Sequence, residues 1–331
     1  MFDAFGIMAI DSIDRVSHEV VEHSAVIASQ QAANTGQDAR AATSLVHALS
    51  FDIEDWFHIV DVPAVDDPTR WPSLSDTSSI VERYTDLILE ICDTYDVKAT
   101  FFVLGWVAAR HPDLVRRIFD SGHELATHSH WHRPVYTMNV EALIEDLQES
   151  IDAIKAAAPE AEVLGFRAPS FSITPGSEWA FDAILDAGLR YDASLFPSDR
   201  GHGGYICRRG VHEVRTPSGR TLPELPMSIA RIGVGPLQKN LCYSGGGYLR
   251  LLPLTTIEYG MRQEAKSGRP TVVYLHPRDF APDSPRVSMP LHRRFKCYVG
   301  LRTTRYKLES LLDVYQWDTC RGMLNRNQLL S

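Results

Sequence analysis

The sequence predicts an α/β fold, a (β/α) barrel of parallel strand–helix–strand units, and three observations lead there. Strand-like and helix-like runs alternate from residue 45 to residue 275, the order that parallel βαβ units produce. The run Ala99-Thr100-Phe101-Phe102-Val103-Leu104 is β-rich and unbroken, as a buried parallel strand requires. Leu143, Leu147, Ile151 and Ile154 recur at helical spacing over residues 140–158, which gives a helix one apolar face.

The remaining elements follow in chain order. Leu45-Val46-His47-Ala48-Leu49-Ser50-Phe51 is strand-like and runs into acidic residues. Residues 78–95 read as a helix, with Ile80, Tyr84 and Leu87 on one side. Residues 107–120 read as another, in which Pro112 requires a start or a break. Gly122 ends that unit and residues 124–127 form a strand. A strand ends at 165–167, and a helix over 177–187 stops at Gly188. Thr271-Val272-Val273-Tyr274-Leu275 is the last clear strand.

The 331-residue length is normal for one α/β barrel. Hydrophobic residues make up 44% of the chain, so a large core forms without staples. A net charge of -9 argues against a general nucleic-acid binder, which needs a basic face. The five cysteines are scattered, odd in number and lack a Cys-x-x-Cys pair. That argues against a disulfide framework or a cysteine zinc site and fits reduced thiols in the cytoplasm. The first residues lack a basic stretch, so no signal peptide is expected. No run approaches the ~20 apolar residues of a membrane span. Substrate is therefore expected inside the cell or at the inner face of a membrane. Residues 1–44 read as a poorly ordered extension with a short helix around 12–28, because the segment 30–38 is small, polar and aperiodic.

In such barrels the chemistry sits at the C-terminal ends of strands, which here are Asp52, His128, Arg167 and His276. His128-Ser129-His130-Trp131-His132 directly follows a strand. A bend there aims His128 and His132 at one point, and neutral imidazoles are common metal ligands. His130 is out of phase with them. Asp52, Glu54 and Asp55 crowd the end of the first strand, and like charges this close repel unless a cation intervenes. A solvated acidic turn would explain them too, but Phe51, Trp56 and Phe57 argue for burial.

A catalytic zinc site has three protein ligands and an open position for water. His128, His132 and one carboxylate meet that count, and a second carboxylate can take a proton from the water. Asp52 is assigned as the base. Glu54 or Asp55 is the ligand: an extended strand puts Asp52 and Glu54 on one face, whereas a turn after Ile53 favours Asp55. Arg167 can hold Asp52 in its charged form. His276 suits a general acid for a leaving amine.

Together these residues resemble the polysaccharide deacetylase (NodB-homology) family, carbohydrate esterase family 4. The matching pieces occur in the family's order: Ser50-Phe51-Asp52, Lys98-Ala99-Thr100-Phe101-Phe102-Val103, Gly122-His123-Glu124 leading to His128 and His132, Arg167-Ala168-Pro169, and Leu275-His276. The likeness covers roughly residues 46–285. It departs from the common adjacent aspartate pair, because Ile53 separates Asp52 from Glu54 and Asp55. The chain looks closest to a subgroup associated with exopolysaccharide and exosortase loci, on Asp52-Ile53-Glu54-Asp55-Trp56-Phe57, Gly245-Gly246-Gly247-Tyr248 and Tyr274-Leu275-His276-Pro277-Arg278-Asp279-Phe280.

The resemblance implies a distorted (β/α) barrel with fewer than eight regular units. It implies a deacetylase barrel over 45–290, in which 200–290 include a subgroup-specific part, and a C-terminal helical extension over 291–331. It also implies a divalent metal, foremost Zn2+ with Co2+ or another as alternatives, and an N-acetylated glycan substrate that could be lipid-linked at a membrane. Asp192 falls where the family often places an acid that tunes the catalytic histidine. Two other functions stay open: a metal-free amidohydrolase acting on a small cyclic amide, and an inactive glycan-binding protein.

Overall fold

The computed structural model describes residues 42–330, apart from 61, 63–64, 66, 199–202 and 234–237. The extension expected over residues 1–44 lies outside the described residues except for 42–44.

Among the described residues eleven strands are formed: β1 (Val46–Ile53), β2 (Thr100–Val103), β3 (Glu124–Thr127), β4 (Gly165–Phe166), β5 (Tyr191–Asp192), β6 (His212–Arg215), β7 (Thr221–Glu224), β8 (Ile229–Ile232), β9 (Lys239–Cys242), β10 (Val272–Leu275) and β11 (Gln316–Asp318). The main sheet runs β10-β1-β2-β3-β4-β5-β7-β6, and β11 pairs with β1. Every pairing from β10 to β7 is parallel, and only β6 runs antiparallel, against β7. Among the described residues the sheet is curled but not closed, a distorted half-barrel. The β8–β9 hairpin forms its own small sheet. Ser228, at its start, accepts from Val272 N–H at 2.9 Å, and Ser244, past its end, accepts from Tyr274 N–H at 3.1 Å.

The period-two geometry of a strand divides β1 between two cores. Leu49, Phe51 and Ile53 pack outward in the larger core, against helices such as Val81–Thr94 and Val140–Ala157. Ala48 joins Phe102, Ala126, Tyr191 and Tyr274 on the concave side. Ser50, Asp52 and Glu54 share the parity of Ala48. β1 buries all but its first residue, so polar groups there must find partners within the protein.

Pro112 breaks the expected helix over 107–120 into Gly105–Arg110 and Pro112–Asp120, because it offers no N–H to continue the ladder. The C-terminal residues, expected as a helical extension, also contribute β11, which pairs with Val46–Ala48. From there Cys320–Arg326 turns into the concave core, with Cys320 N–H donating to the Thr100 hydroxyl at 2.7 Å. No helix of the described residues is long and apolar enough to cross a membrane.

Candidate metal centre and active site

Four parallel strands deliver the site residues to one end of the sheet. β1 supplies Asp52 and, one residue past its end, Glu54. β3 leads into His128, β4 into Arg167 and β10 into His276. Asp52, Glu54, His128, His132 and His276 line one pocket of about 250 Å³, together with Ala168, Ser170, Phe171 and Tyr274.

The segment after β3 bends sharply. Ser129 and His132 take φ of 67° and 52°, a region that non-glycine residues occupy at a cost. Surrounding bonds hold them there. Ser129 Oγ accepts from His132 N–H at 3.1 Å, and the buried Asp146 carboxylate accepts from His130 and Trp131 N–H at 2.6 and 3.2 Å. The bend brings His128 and His132 to 5.3 Å between ring centroids.

Glu54, His128 and His132 form the one group of potential metal ligands found among the described residues, with ligand atoms all within 4.8 Å of one another. Glu54 Oε1 lies 3.9 Å from His128 Nε2, and Oε2 lies 2.8 Å from His132 Nε2. Atoms bound at about 2.0–2.2 Å to one zinc ion can be that far apart. His128 Nδ1–H donates to the Arg167 carbonyl at 2.8 Å, which leaves the Nε2 lone pair facing Glu54. Glu54 Oε2 has no aligned hydrogen-bond donor although it is buried. Lone pairs converging on a buried carboxylate suit a cation, so the residues fit the metal that the resemblance implies. Burial pushes the Glu54 carboxyl up, but His132, His128 and His276 together pull it below its ordinary value. Burial drops His128 to about 3 despite the pull of Glu54, so its imidazole is neutral.

Asp55 does not face this cluster. Its carboxylate caps the helix Trp56–Ile59 through Trp56 N–H and bonds the Ser79 hydroxyl and Ile80 N–H. The structure therefore corrects Asp55 as a ligand candidate. The strand geometry continues past Ile53, which leaves Glu54 on the side of Asp52, while Asp55 starts a helix. His130 likewise turns away, 3.3 Å from Glu149.

Arg167 is fully buried; its Nη1 donates to Asp52 Oδ1 at 2.6 Å and its Nε to the Ala193 carbonyl at 3.2 Å. Its guanidinium lies 4.0 Å over the Phe102 ring. The other Asp52 oxygen faces His276 Nε2 at 3.7 Å, and that nitrogen lies 3.5 Å from Glu54. His276 Nδ1 is 3.0 Å from Asp279 Oδ2, and Arg250 Nε is 2.8 Å from Asp279 Oδ1. Burial lowers the His276 pKa, but the Asp279 bond and charge, with Glu54 and Asp52, raise it to about 9. Burial opposes ionisation of Asp279, yet Arg250 and His276 bring it down to about 2.

Asp192 is not placed against His276, which corrects that expectation. It sits fully buried on β5, accepting from the Ser194 hydroxyl and facing Glu224. Burial raises the carboxyls of both Asp192 and Glu224 above their ordinary values, and the Asp192 charge adds to the rise at Glu224. Asp279 takes the place beside His276. Its signal was legible: an acid three residues after His276 with Pro277 between them is a helix-capping pattern. Asp146 also had a signal, a carboxylate on the apolar stripe of Leu143, Leu147 and Ile151.

Comparison with known proteins adds a family to this geometry. Residues 69–190 match the polysaccharide deacetylase family model, and 193–325 match a domain of unknown function, DUF3473. The first span carries His128, His132 and Arg167, the second His276, and Asp52 and Glu54 precede both. A chitooligosaccharide deacetylase of Rhizobium leguminosarum bv. trifolii is 39% identical over 109 residues, which are 32% of this chain and 47% of that protein. One of Sinorhizobium fredii is 36% identical over 86 residues, 26% of this chain and 40% of that protein. The chain thus spans less than half the length of these relatives. In fold, it superposes on the crystal structure of a candidate polysaccharide deacetylase from Mycobacterium smegmatis with a TM-score of 0.56 and 21% identity, covering 86% of this chain and 91% of that one. The part that matches the deacetylase model carries the His128–His132 bend and the Arg167 strand end, which supports the polysaccharide deacetylase family that the sequence resembles.

Proposed function

We propose that this protein hydrolyses N-acetyl groups of an amino-sugar-containing polysaccharide or oligosaccharide, releasing acetate. The observation that carries the reading is the convergence of a Glu54–His128–His132 ligand set, the buried Asp52 carboxylate and the His276 imidazole on one pocket. The deacetylase relatives support the substrate class. The subgroup resemblance supports a role in exopolysaccharide biosynthesis.

Glu54, His128 and His132 would hold the metal, with Zn2+ first because two imidazoles and a carboxylate suit it. Such an ion supplies a Lewis acid that polarises a carbonyl and acidifies water. Asp52, ion-paired with Arg167, takes a proton from water as the water oxygen attacks the acetamide carbonyl carbon. His276 stands opposite and gives its Nε2 proton to the amide nitrogen as the C–N bond breaks. Asp279, on Nδ1, holds that imidazole in its protonated form. Acetate and a sugar amine result. Positioned acid–base groups of this kind are each worth about 10²–10⁴-fold in rate.

The test is free acetate measured on a panel of N-acetylated oligosaccharides with metal-loaded protein. Acetate release that disappears in Asp52→Asn supports the reading. Turnover of a small cyclic amide instead, undiminished by chelators, would replace it with the metal-free amidohydrolase.

A further inference from the structure

We propose that the helix Leu291–Tyr298 and the turn after it form a docking surface for an anionic phospholipid bilayer, an inference independent of the deacetylase reading. Between Asp283 and Glu309 the chain has seven Lys or Arg and no acidic residue, although its net charge is -9. Charge of one sign is therefore concentrated in a short segment of an acidic protein.

The same segment exposes large apolar side chains. Leu291 is 82% exposed and Phe295 59%. They are four residues apart, hence on one face of the helix. At about 100° per residue, Arg294 flanks that face on one side and His292 on the other. Arg294, Lys296 and Arg302 are exposed. Single exposed apolar residues need no explanation. An apolar helix face edged by cations is the pattern of a helix lying in a membrane interface, and clustered cations favour anionic headgroups.

The surface is held firmly. Arg250 Nη1 donates to the carbonyls of Cys297 and Val299 at 2.9 and 3.2 Å, while its Nε pairs with Asp279 at 2.8 Å. Arg286 stacks over Tyr298 at 3.9 Å. The docking helix is thus tied to the segment that carries His276, so a bound bilayer would set the orientation of the pocket. The apolar anchors favour lipid over an acidic polysaccharide. A second copy fits poorly, because two-fold pairing through this face would oppose like cations.

The experiment is sedimentation of the full chain with phosphatidylglycerol–phosphatidylcholine vesicles and with pure phosphatidylcholine vesicles. Binding to the anionic vesicles is expected, weaker by about tenfold or more on the neutral ones. Arg294→Glu with Lys296→Glu, and separately Leu291→Ser with Phe295→Ser, should each weaken it by about tenfold while leaving thermal unfolding unchanged. Equal binding to both vesicles, or none, would overturn the proposal. So would retention of binding by the Leu291→Ser/Phe295→Ser variant together with competition by a soluble acidic polysaccharide. A dimer in sedimentation velocity that this variant dissolves would assign the face to self-association instead. Vesicle binding without acetate release would sink only the deacetylase reading.

Discussion

Asp279 grips His276 at two points: one carboxylate oxygen, Oδ2, accepts the His276 backbone N–H at 2.9 Å and lies 3.0 Å from ring Nδ1. The ring is thereby fixed in orientation and biased towards its charged form. A histidine whose folded pKa is raised keeps its proton, and the stability that goes with it, at neutral pH. Both are lost as pH climbs through the folded value, here about 9. If His276 is the general acid, the pH profile of kcat should hold to about 9 and then fall. Asp279→Asn should move that basic limb downward, towards the ordinary histidine range, with metal content kept. A basic limb that stays put in the variant would remove His276 from the role.

The carboxylates of β1 and its extension separate cleanly by mutation. Glu54→Gln and His128→Ala should each lower bound metal in purified protein, measured by elemental analysis. Asp52→Asn should keep metal and lose turnover by about 10²–10⁴-fold. Asp55→Ala should keep metal and lose about 1 kcal/mol of stability, the usual loss for a helix cap. Loss of metal in Asp55→Ala with full occupancy in Glu54→Gln would reverse the ligand assignment.

Arg167 and Asp52 are a buried ion pair, and deleting one partner leaves the other charge stranded. Arg167→Ala should therefore destabilise the fold by about 3–5 kcal/mol in urea unfolding. A loss within about 0.5 kcal/mol, the scale of an ordinary surface substitution, would mean that water already reaches the pair.

Asp146 reaches no ligand directly, yet its carboxylate holds the backbone of the bend at His130 and Trp131. Asp146→Asn should weaken metal affinity by about 10–100-fold, the scale seen when outer partners of a metal site are removed. Titration of the metal-free protein with zinc would measure it. Unchanged affinity would show that Ser129 and the strand end alone shape the bend.

Strands β1, β2, β3 and β10 were legible as short, largely apolar runs, most of them leading into a chemically distinctive residue, whereas β5, β7 and β11, also parallel, are too short or too polar to carry such a run. Asp52, His128, Arg167 and His276 stand out by the same rule. The β6–β7 and β8–β9 hairpins were not legible, since His212–Arg215 and Lys239–Cys242 are short, polar edge strands without an apolar period. The choice between Glu54 and Asp55 turned on where the extended chain gives way to the helix at Trp56, which residue identity does not encode. Asp192 was misplaced because position in a family pattern does not specify which acid reaches a ring. Asp279 reaches His276 through a local capping turn, and Asp192 is spent on Ser194 and Glu224.

The most direct test is anomalous diffraction at the zinc edge from crystals of the full chain grown with zinc. The account predicts one strong peak about 2.0–2.2 Å from a Glu54 oxygen and from Nε2 of both His128 and His132, with Asp52 and His276 flanking it. A well-occupied zinc bound elsewhere, with those side chains turned apart, would contradict it.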